Sequence, residues 1–376
     1  MATAVTAYLD HAATTPMRAA AVEAMLPLLT ERFANPSGGH VAARDARKAV
    51  DEARDVVAAC LGCAPGEVVF TGCGTEADNL AIEGVVERHG GTAVCTAVEH
   101  HAVLHTVEHV GGRIVGVDAT GVVDLDALAA ALDDDVRVVS VMLANNEVGT
   151  IQPLDAVAAV VAERAPGAWL HTDAVQGAVW LDVAAAARSA DLVAVSAHKF
   201  GGPKGVGALV VRDGVSLAPM LLGGGQERDR RSGTHNVAGI VAMATALQCT
   251  VTEREATVAR VGSLRDRLVD GLAATVPGLI ETVPRAVKVA GSAHVCIEGA
   301  ESEALLFLLD RAGVCASAAS SCSSGAMEPS HVLAAMGVPK EVALGALRLS
   351  LGAASTDADV DRALEVIPEA VAKLRR

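Results

Sequence analysis

With 376 residues, 51% of them hydrophobic and only 2% aromatic, the chain can bury a sizeable core, and that core must be built from Ala, Val and Leu. Its 30 Lys and Arg against 45 Asp and Glu leave a net charge of −15, which argues against direct nucleic-acid binding, because that affinity comes from cations neutralising phosphates. No apolar run approaches the roughly 20 residues of a membrane span. Residues 1–6 lack the basic and apolar pattern of a signal peptide, so a cytoplasmic protein with no membrane contact is expected.

In chain order, Tyr8-Leu9-Asp10-His11-Ala12-Ala13-Thr14-Thr15-Pro16 is a short polar stretch before a helix over 18–29. Asn35-Pro36 and Gly38-Gly39 break the helical pattern, and a long amphipathic helix follows over 41–61. Residues 68–70 form a strand that runs into the turn Thr71-Gly72-Cys73-Gly74-Thr75-Glu76 and a helix over 77–88. Glycines in that turn let backbone approach a ligand closely, and a helix start offers free N–H groups, so a phosphate fits there. Strands over 92–96, 113–117 and 136–143 then alternate with helices after His101, over 125–132 and over 151–164. This alternation, continuing to Val211, implies a parallel sheet covered by helices.

Two strands carry the chemistry. Trp169-Leu170-His171-Thr172-Asp173 ends in an acid, with Gln176 three residues on. The apolar run over 191–195 ends in Ser196-Ala197-His198-Lys199 and opens onto the glycine-rich Phe200-Gly201-Gly202-Pro203-Lys204-Gly205. A helix-length connection over 181–188 separates them, so they are expected to be parallel neighbours with both polar ends at one carboxyl edge, where open α/β sheets bind ligands. A lysine at such a mouth loses its proton more easily than a surface one and can form a Schiff base. An Asp for a pyridine nitrogen and a Lys for an aldehyde carbon are what pyridoxal phosphate requires.

A loop over 221–236 precedes a long helix over 237–272, after which the pattern changes to a smaller α+β unit. There, strands are expected at 294–297 and 347–351, with helices over 304–312, 341–344 and 357–374. The expected division is a large α/β domain over 15–258 and a small domain made of 1–14 and 259–376. Of the eight cysteines, Cys60 and Cys63 read as helix-end structural thiols, and neither disulfides nor a metal site is expected. Cys322 differs, because its neighbours are small and polar (Ser320, Ser321, Ser323 and Ser324), the setting of a thiol able to act as a nucleophile.

Taken together these segments resemble the cysteine desulfurases of the NifS/IscS type, within the class V aminotransferase relatives of fold-type I. The resemblance spans essentially the whole chain. It rests on the Leu9–Pro16 stretch, Asn35-Pro36-Ser37, Gly74-Thr75-Glu76, Glu99-His100, Asn145-Asn146-Glu147-Val148-Gly149, Asp173-Ala174-Val175-Gln176, Ser196-Ala197-His198-Lys199, Arg231-Ser232-Gly233-Thr234, and Cys322 followed by Glu328-Pro329-Ser330-His331. Gly74 stands where such enzymes carry Ala, and Ser321-Cys322-Ser323-Ser324 replaces their Ala-Cys-Thr.

The resemblance implies a fold-type I architecture: a large domain with a mostly parallel, seven-stranded type of sheet between helices, and a smaller α+β domain. It implies pyridoxal 5'-phosphate attached to Lys199, which also moves the substrate Cα proton. Asp173 would face the ring nitrogen, Gln176 the ring oxygen and His100 the ring face. Gly74, Thr75, Ser196 and His198 would hold the phosphate, with Thr234 reaching over from the second subunit of a homodimer. Asn146 and Arg348, with help from Asn35, would bind the carboxylate of L-cysteine, and Asn146 also lies beside the cofactor. Cys322 would take the sulfur as a persulfide, leaving L-alanine, and pass it to a sulfur-acceptor protein. Iron–sulfur cluster assembly, tRNA thiolation and DNA sulfur modification all remain open as destinations. A selenocysteine lyase or another class V aminotransferase-like enzyme is the alternative.

Overall fold

The structure, a computed structural model, describes residues 6–318 and 330–375. Among these the strands are β1 (Ala7–Tyr8), β2 (Val68–Thr71), β3 (Thr92–Thr96), β4 (Arg113–Val115), β5 (Val136–Ser140), β6 (Trp169–Asp173), β7 (Leu192–Ser196), β8 (Gly207–Val211), β9 (Leu279–Glu281), β10 (Ser292–Ile297), β11 (Val314–Cys315) and β12 (Ala346–Ser350). Seven of them form one sheet in the order β2-β8-β7-β6-β5-β3-β4. Every pairing is parallel except the two made by β8.

Both faces of this sheet are covered, which is why its strands read as continuous apolar runs rather than alternating ones. Val68 and Phe70 of β2, with Val193 and Val195 of β7, face a core shared with Val50, Val57 and Leu61 of the helix Val41–Leu61 and with Ile240 and Met243 of the helix Val237–Thr275. The intervening Val69, Leu192 and Ala194 point the other way, against Leu80, Ile82 and Val85 of the helix Gly74–His89.

A second core gathers Leu264, Leu268 and Leu272 from the far half of the Val237–Thr275 helix, Val295 of β10, Leu347 and Leu349 of β12, and Ile367 of the helix Asp357–Leu374. Ala7 and Leu9 pack into it. Here β10 pairs antiparallel with both β12 and β9, and β1 pairs parallel with β11. One helix of 39 residues therefore belongs to both cores.

Some boundaries differ from the sequence reading. The connection over 181–188 is not one helix but two turns, Gly177–Trp180 and Val183–Ala186, because Leu181 is extended and the chain restarts at Asp182. The helix expected from residue 151 begins at Leu154, since Ile151 pairs in a bridge with Ala144 and Pro153 sits at the start. The helix after the glycine turn starts at Gly74, not Ala77, so the turn itself is the helix's first turn. The strands β1, β9 and β11 were not foreseen, being only two or three residues long and without readable periodicity. Among the described residues no helix is long and apolar enough to cross a membrane.

Candidate active site

β6 and β7 run parallel with Asp173 opposite Ala194, so the acid and the segment after Ser196 emerge at the same carboxyl edge. Ala197–Lys199 forms a single tight turn, closed by N–H donation from Phe200 and Gly202 to the Ala197 carbonyl. Gly201 completes the reversal with φ +86°, and a side chain there would also meet Arg18 at 2.6 Å. Both constraints demand glycine.

Lys199 Nζ donates to the carbonyls of Ala12 at 2.6 Å and Ala13 at 3.0 Å. Burial and the nearby Arg348 lower its pKa to about 8, while Asp173 and Asp10 oppose that shift. Asp173 is buried, and its Oδ1 accepts from Val175 N at 2.8 Å. Burial raises the Asp173 carboxyl above its ordinary value, against the pull of His100, the Val175 N–H and Lys199. His100 caps the helix His101–His109, its Nδ1 accepting from Ala102 N at 3.1 Å. That bond fixes Nδ1 as the unprotonated nitrogen of the neutral ring. Surrounding protein lowers the pKa of His100, with Asp173 opposing and Lys199 adding to the effect. Gln176 Nε2 donates to Ala12 O at 2.8 Å.

The helix Gly74–His89 begins against these two strands. A Cβ on Gly74 would stand 2.8 Å from Val175 Cγ2 and 3.3 Å from the Ser196 Cβ. Cys73, at the N-cap, makes no side-chain cap, which leaves first-turn N–H groups available to an anion. Ser196 Oγ is buried without a hydrogen-bond partner among the described residues, and Thr75 at the helix start is exposed. His198 Nδ1 lies 3.2 Å from Thr14 Oγ1, and burial, Lys199 and Lys204 hold its pKa down to about 4.

On the opposite wall Arg348 is 7% exposed. Its Nη1 donates to Asn146 O at 3.1 Å and its Nη2 to Asp10 Oδ1 at 2.8 Å. Asn146 is presented by a local turn in which Asn145 Oδ1 accepts from Glu147 N at 2.8 Å and Val148 N at 2.9 Å. Gly149, with φ +86°, finishes the turn. Between the walls lies a cleft of about 280 Å³ lined by Lys199, Gln176, Asn146 and Arg348, with His11 and Trp180.

The fold thus gathers Gly74, Asn146, Asp173, Gln176, Ser196, His198, Lys199 and Arg348 around one sheet edge, with His100 and Thr75 on the adjoining helix starts. It does not bring in Thr234 or Asn35. Thr234 is exposed on the loop after Arg231, beside a separate depression with Gly72 and His235, and Asn35 is exposed with Oδ1 accepting from Ser37 N. Cys322 lies outside the described residues.

These groups suit pyridoxal phosphate. An amine with a lowered pKa stands near a buried acid. A helix start without a side-chain cap lies beside the Ser196 hydroxyl, which like the buried Nε of the Arg348 guanidinium has no partner among the described residues. Two further acids escaped the sequence reading although both sit in its motifs. Asp10 pairs with Arg348, and Glu147, buried, accepts from the Ser330 hydroxyl. A motif acid with no assigned partner was the available signal.

A model of the aminotransferase class-V family matches residues 7–363. An IscS-like cysteine desulfurase of Mycobacterium tuberculosis is 48% identical, the alignment covering 98% of this chain and 97% of that protein. A cysteine desulfurase IscS of Methanosarcina thermophila is 44% identical over 98% of this chain and 92% of its own. Among solved structures, a NifS-like protein superimposes with a TM-score of 0.92 at 36% identity, covering 98% of this chain and all (100%) of that one.

Proposed function

The chain belongs to the aminotransferase class-V family, and from that premise we propose that the cleft at Lys199 is the active site of a pyridoxal-phosphate-dependent cysteine desulfurase, converting L-cysteine to L-alanine and holding the sulfur for transfer. The observation that carries this reading is the convergence of Lys199 and Asp173 at one sheet edge, through the register of β6 and β7. Bound there, pyridoxal phosphate supplies an electron sink for the pair left when the substrate loses its Cα proton.

The residues divide the work. Lys199 is the attachment point, and its amine, balanced near neutrality, carries the Cα proton. Asp173 would face the ring nitrogen, Gln176 the ring oxygen and His100 the ring face. The first turn at Gly74 and Thr75, with Ser196 and His198, would hold the phosphate. Arg348 and Asn146 would take the substrate carboxylate, a task suited to a planar guanidinium. Cys322 would attack the substrate sulfur and keep it as a persulfide.

The exposed position of Thr234, away from its own chain's cleft, supports a homodimer in which it reaches the other subunit's phosphate; Asn35, also exposed, fits the same arrangement as an auxiliary substrate contact. The two hydrophobic cores support a large domain over 15–258 and a small one made of 1–14 and 259–376. All seven described cysteines are free thiols, which suits the reducing cytoplasm. A sulfur-acceptor protein completes the scheme.

The test is to measure sulfide and L-alanine released from L-cysteine by the holoenzyme. Loss of both in Cys322→Ala, with the cofactor's visible absorbance retained, is the expected result. Undiminished sulfur release by that variant would overturn the assignment.

A further inference from the structure

Asp10 has no role in the reading above, yet it touches the group to which that reading gives the substrate carboxylate. Its Oδ1 accepts from Arg348 Nη2 at 2.8 Å, while Arg348 Nε is buried with no partner among the described residues. Nε and Nη2 share one edge of the planar guanidinium, and together they are the parallel donors that a carboxylate takes bidentately. Asp10 therefore covers half of that edge, and the other half is unsatisfied.

Backbone structure holds the two residues in place. Asp10 forms a bridge with Ser350 of β12, and Tyr8 Oη donates to the carbonyls of Asp10 and Thr14. Arg348 is locked in β12 opposite His294 of β10. Only side-chain rotation can part the pair. An incoming carboxylate must displace Asp10 from Nη2 to gain both donors.

Resting on the desulfurase reading, we propose that Asp10 is a specificity-determining residue: it occupies on Arg348 the place of the α-carboxylate and yields it only to an α-amino acid, which engages both ends of the cleft. A simple carboxylic acid, lacking the amine directed to the Lys199 end, gains too little to displace it. Asp10 thereby weakens L-cysteine binding and, in exchange, keeps lesser anions off the guanidinium.

The test compares wild-type holoenzyme with Asp10→Asn and Asp10→Ser. Binding of L-alanine, of propionate and of cysteamine, which has the amine but no carboxylate, is measured by calorimetry, alongside KM and kcat for L-cysteine. The proposal expects Kd for L-alanine and KM for L-cysteine to fall by about threefold to tenfold, the range for relief from one partly buried ion pair. Propionate should begin to bind, and cysteamine should be unaffected. Weaker or unchanged L-alanine binding in both variants, with cooperative unfolding retained, would mean that Asp10 orients Arg348 or is idle, and would overturn the proposal. L-alanine binding is read without turnover, so this outcome is separate from failure of the desulfurase reading, which shows as no alanine produced from L-cysteine.

Discussion

Glu227 grips Arg54 through two hydrogen bonds, of 2.7 and 2.6 Å, with both side chains buried. The same carboxylate accepts from Phe70 N at 2.9 Å and lies 2.7 Å from His235 Nε2, next in sequence to Thr234. Glu227, Arg228 and Asp229 all adopt left-handed backbone, with φ of 49°, 58° and 63°. Three such residues in a row cost about 1–2 kcal/mol each. The clamp offsets that cost and thereby holds the Thr234 loop.

Glu227→Gln is accordingly expected to destabilise the protein by about 3 kcal/mol, since it leaves the Arg54 charge buried without a counter-ion. Denaturant unfolding measures this. Burial alone would raise the Glu227 pKa, but His235, Arg54 and the Phe70 N–H outweigh it and hold the value at about 2. The clamp's contribution is therefore present above the ordinary carboxylate range and lost only as pH falls toward 2.

Lys199 should take up the cofactor with a rate that rises with pH to a plateau, with its midpoint near 8. Only the neutral amine attacks an aldehyde, and below that midpoint the amine is protonated. Arg348→Gln removes one cause of the lowered value and should move the midpoint upward. Stopped-flow absorbance on cofactor-free protein follows both, and a midpoint near the ordinary lysine value in the wild type would contradict the site's electrostatics.

Glu147 gives the opposite sign in stability. Burial raises its pKa to about 7, against the Ser330 hydrogen bond and Arg348. The folded state then binds more protons than the unfolded chain between about 4.5 and 7, so the contribution is full below that window and declines as pH rises through it. Glu147→Gln should gain stability relative to wild type across the window, by an amount on the order of 2–3 kcal/mol. Paired melting curves at pH 5 and 7.5 measure the difference.

Gly149→Ala should be among the most damaging single-methyl changes. Its φ is +86°, and the new Cβ would stand 2.4 Å from Ser292 Cβ. The cost is expected to exceed about 2 kcal/mol, together with weaker substrate binding because the Asn146 turn is displaced. Calorimetric melting and KM for L-cysteine report the two effects.

Gly74→Ala is a milder case. The added methyl meets the tip of Val175 at 2.8 Å, a side chain that can rotate away. A loss of about 1 kcal/mol is expected, and Val175→Ala in the same chain should restore it. A double-mutant cycle on thermal stability tests that coupling.

The candidate site was legible in the sequence wherever chemistry follows from chain order. The short run Trp169-Leu170-His171-Thr172 closing on Asp173 and the Val-rich run closing on Ser196-Ala197-His198-Lys199 announce strands, and a short crossover makes them parallel neighbours, so an acid and an amine must share an edge. The helix start at Gly74 is equally local, because glycines and a helical pattern mark it directly. What local pattern cannot supply is a meeting across the chain. Asp10 reaches Arg348 over 338 residues, Glu227 reaches Arg54 over 173, and Ser330 reaches Glu147 over 183. The first and third depend on how two separate cores stack and the second on how a distant loop folds back over one of them, and periodicity records only which face of an element is apolar, not which distant polar group it will meet. The candidate reacting groups were therefore present in the sequence, whereas these distant polar pairings were chosen by tertiary packing.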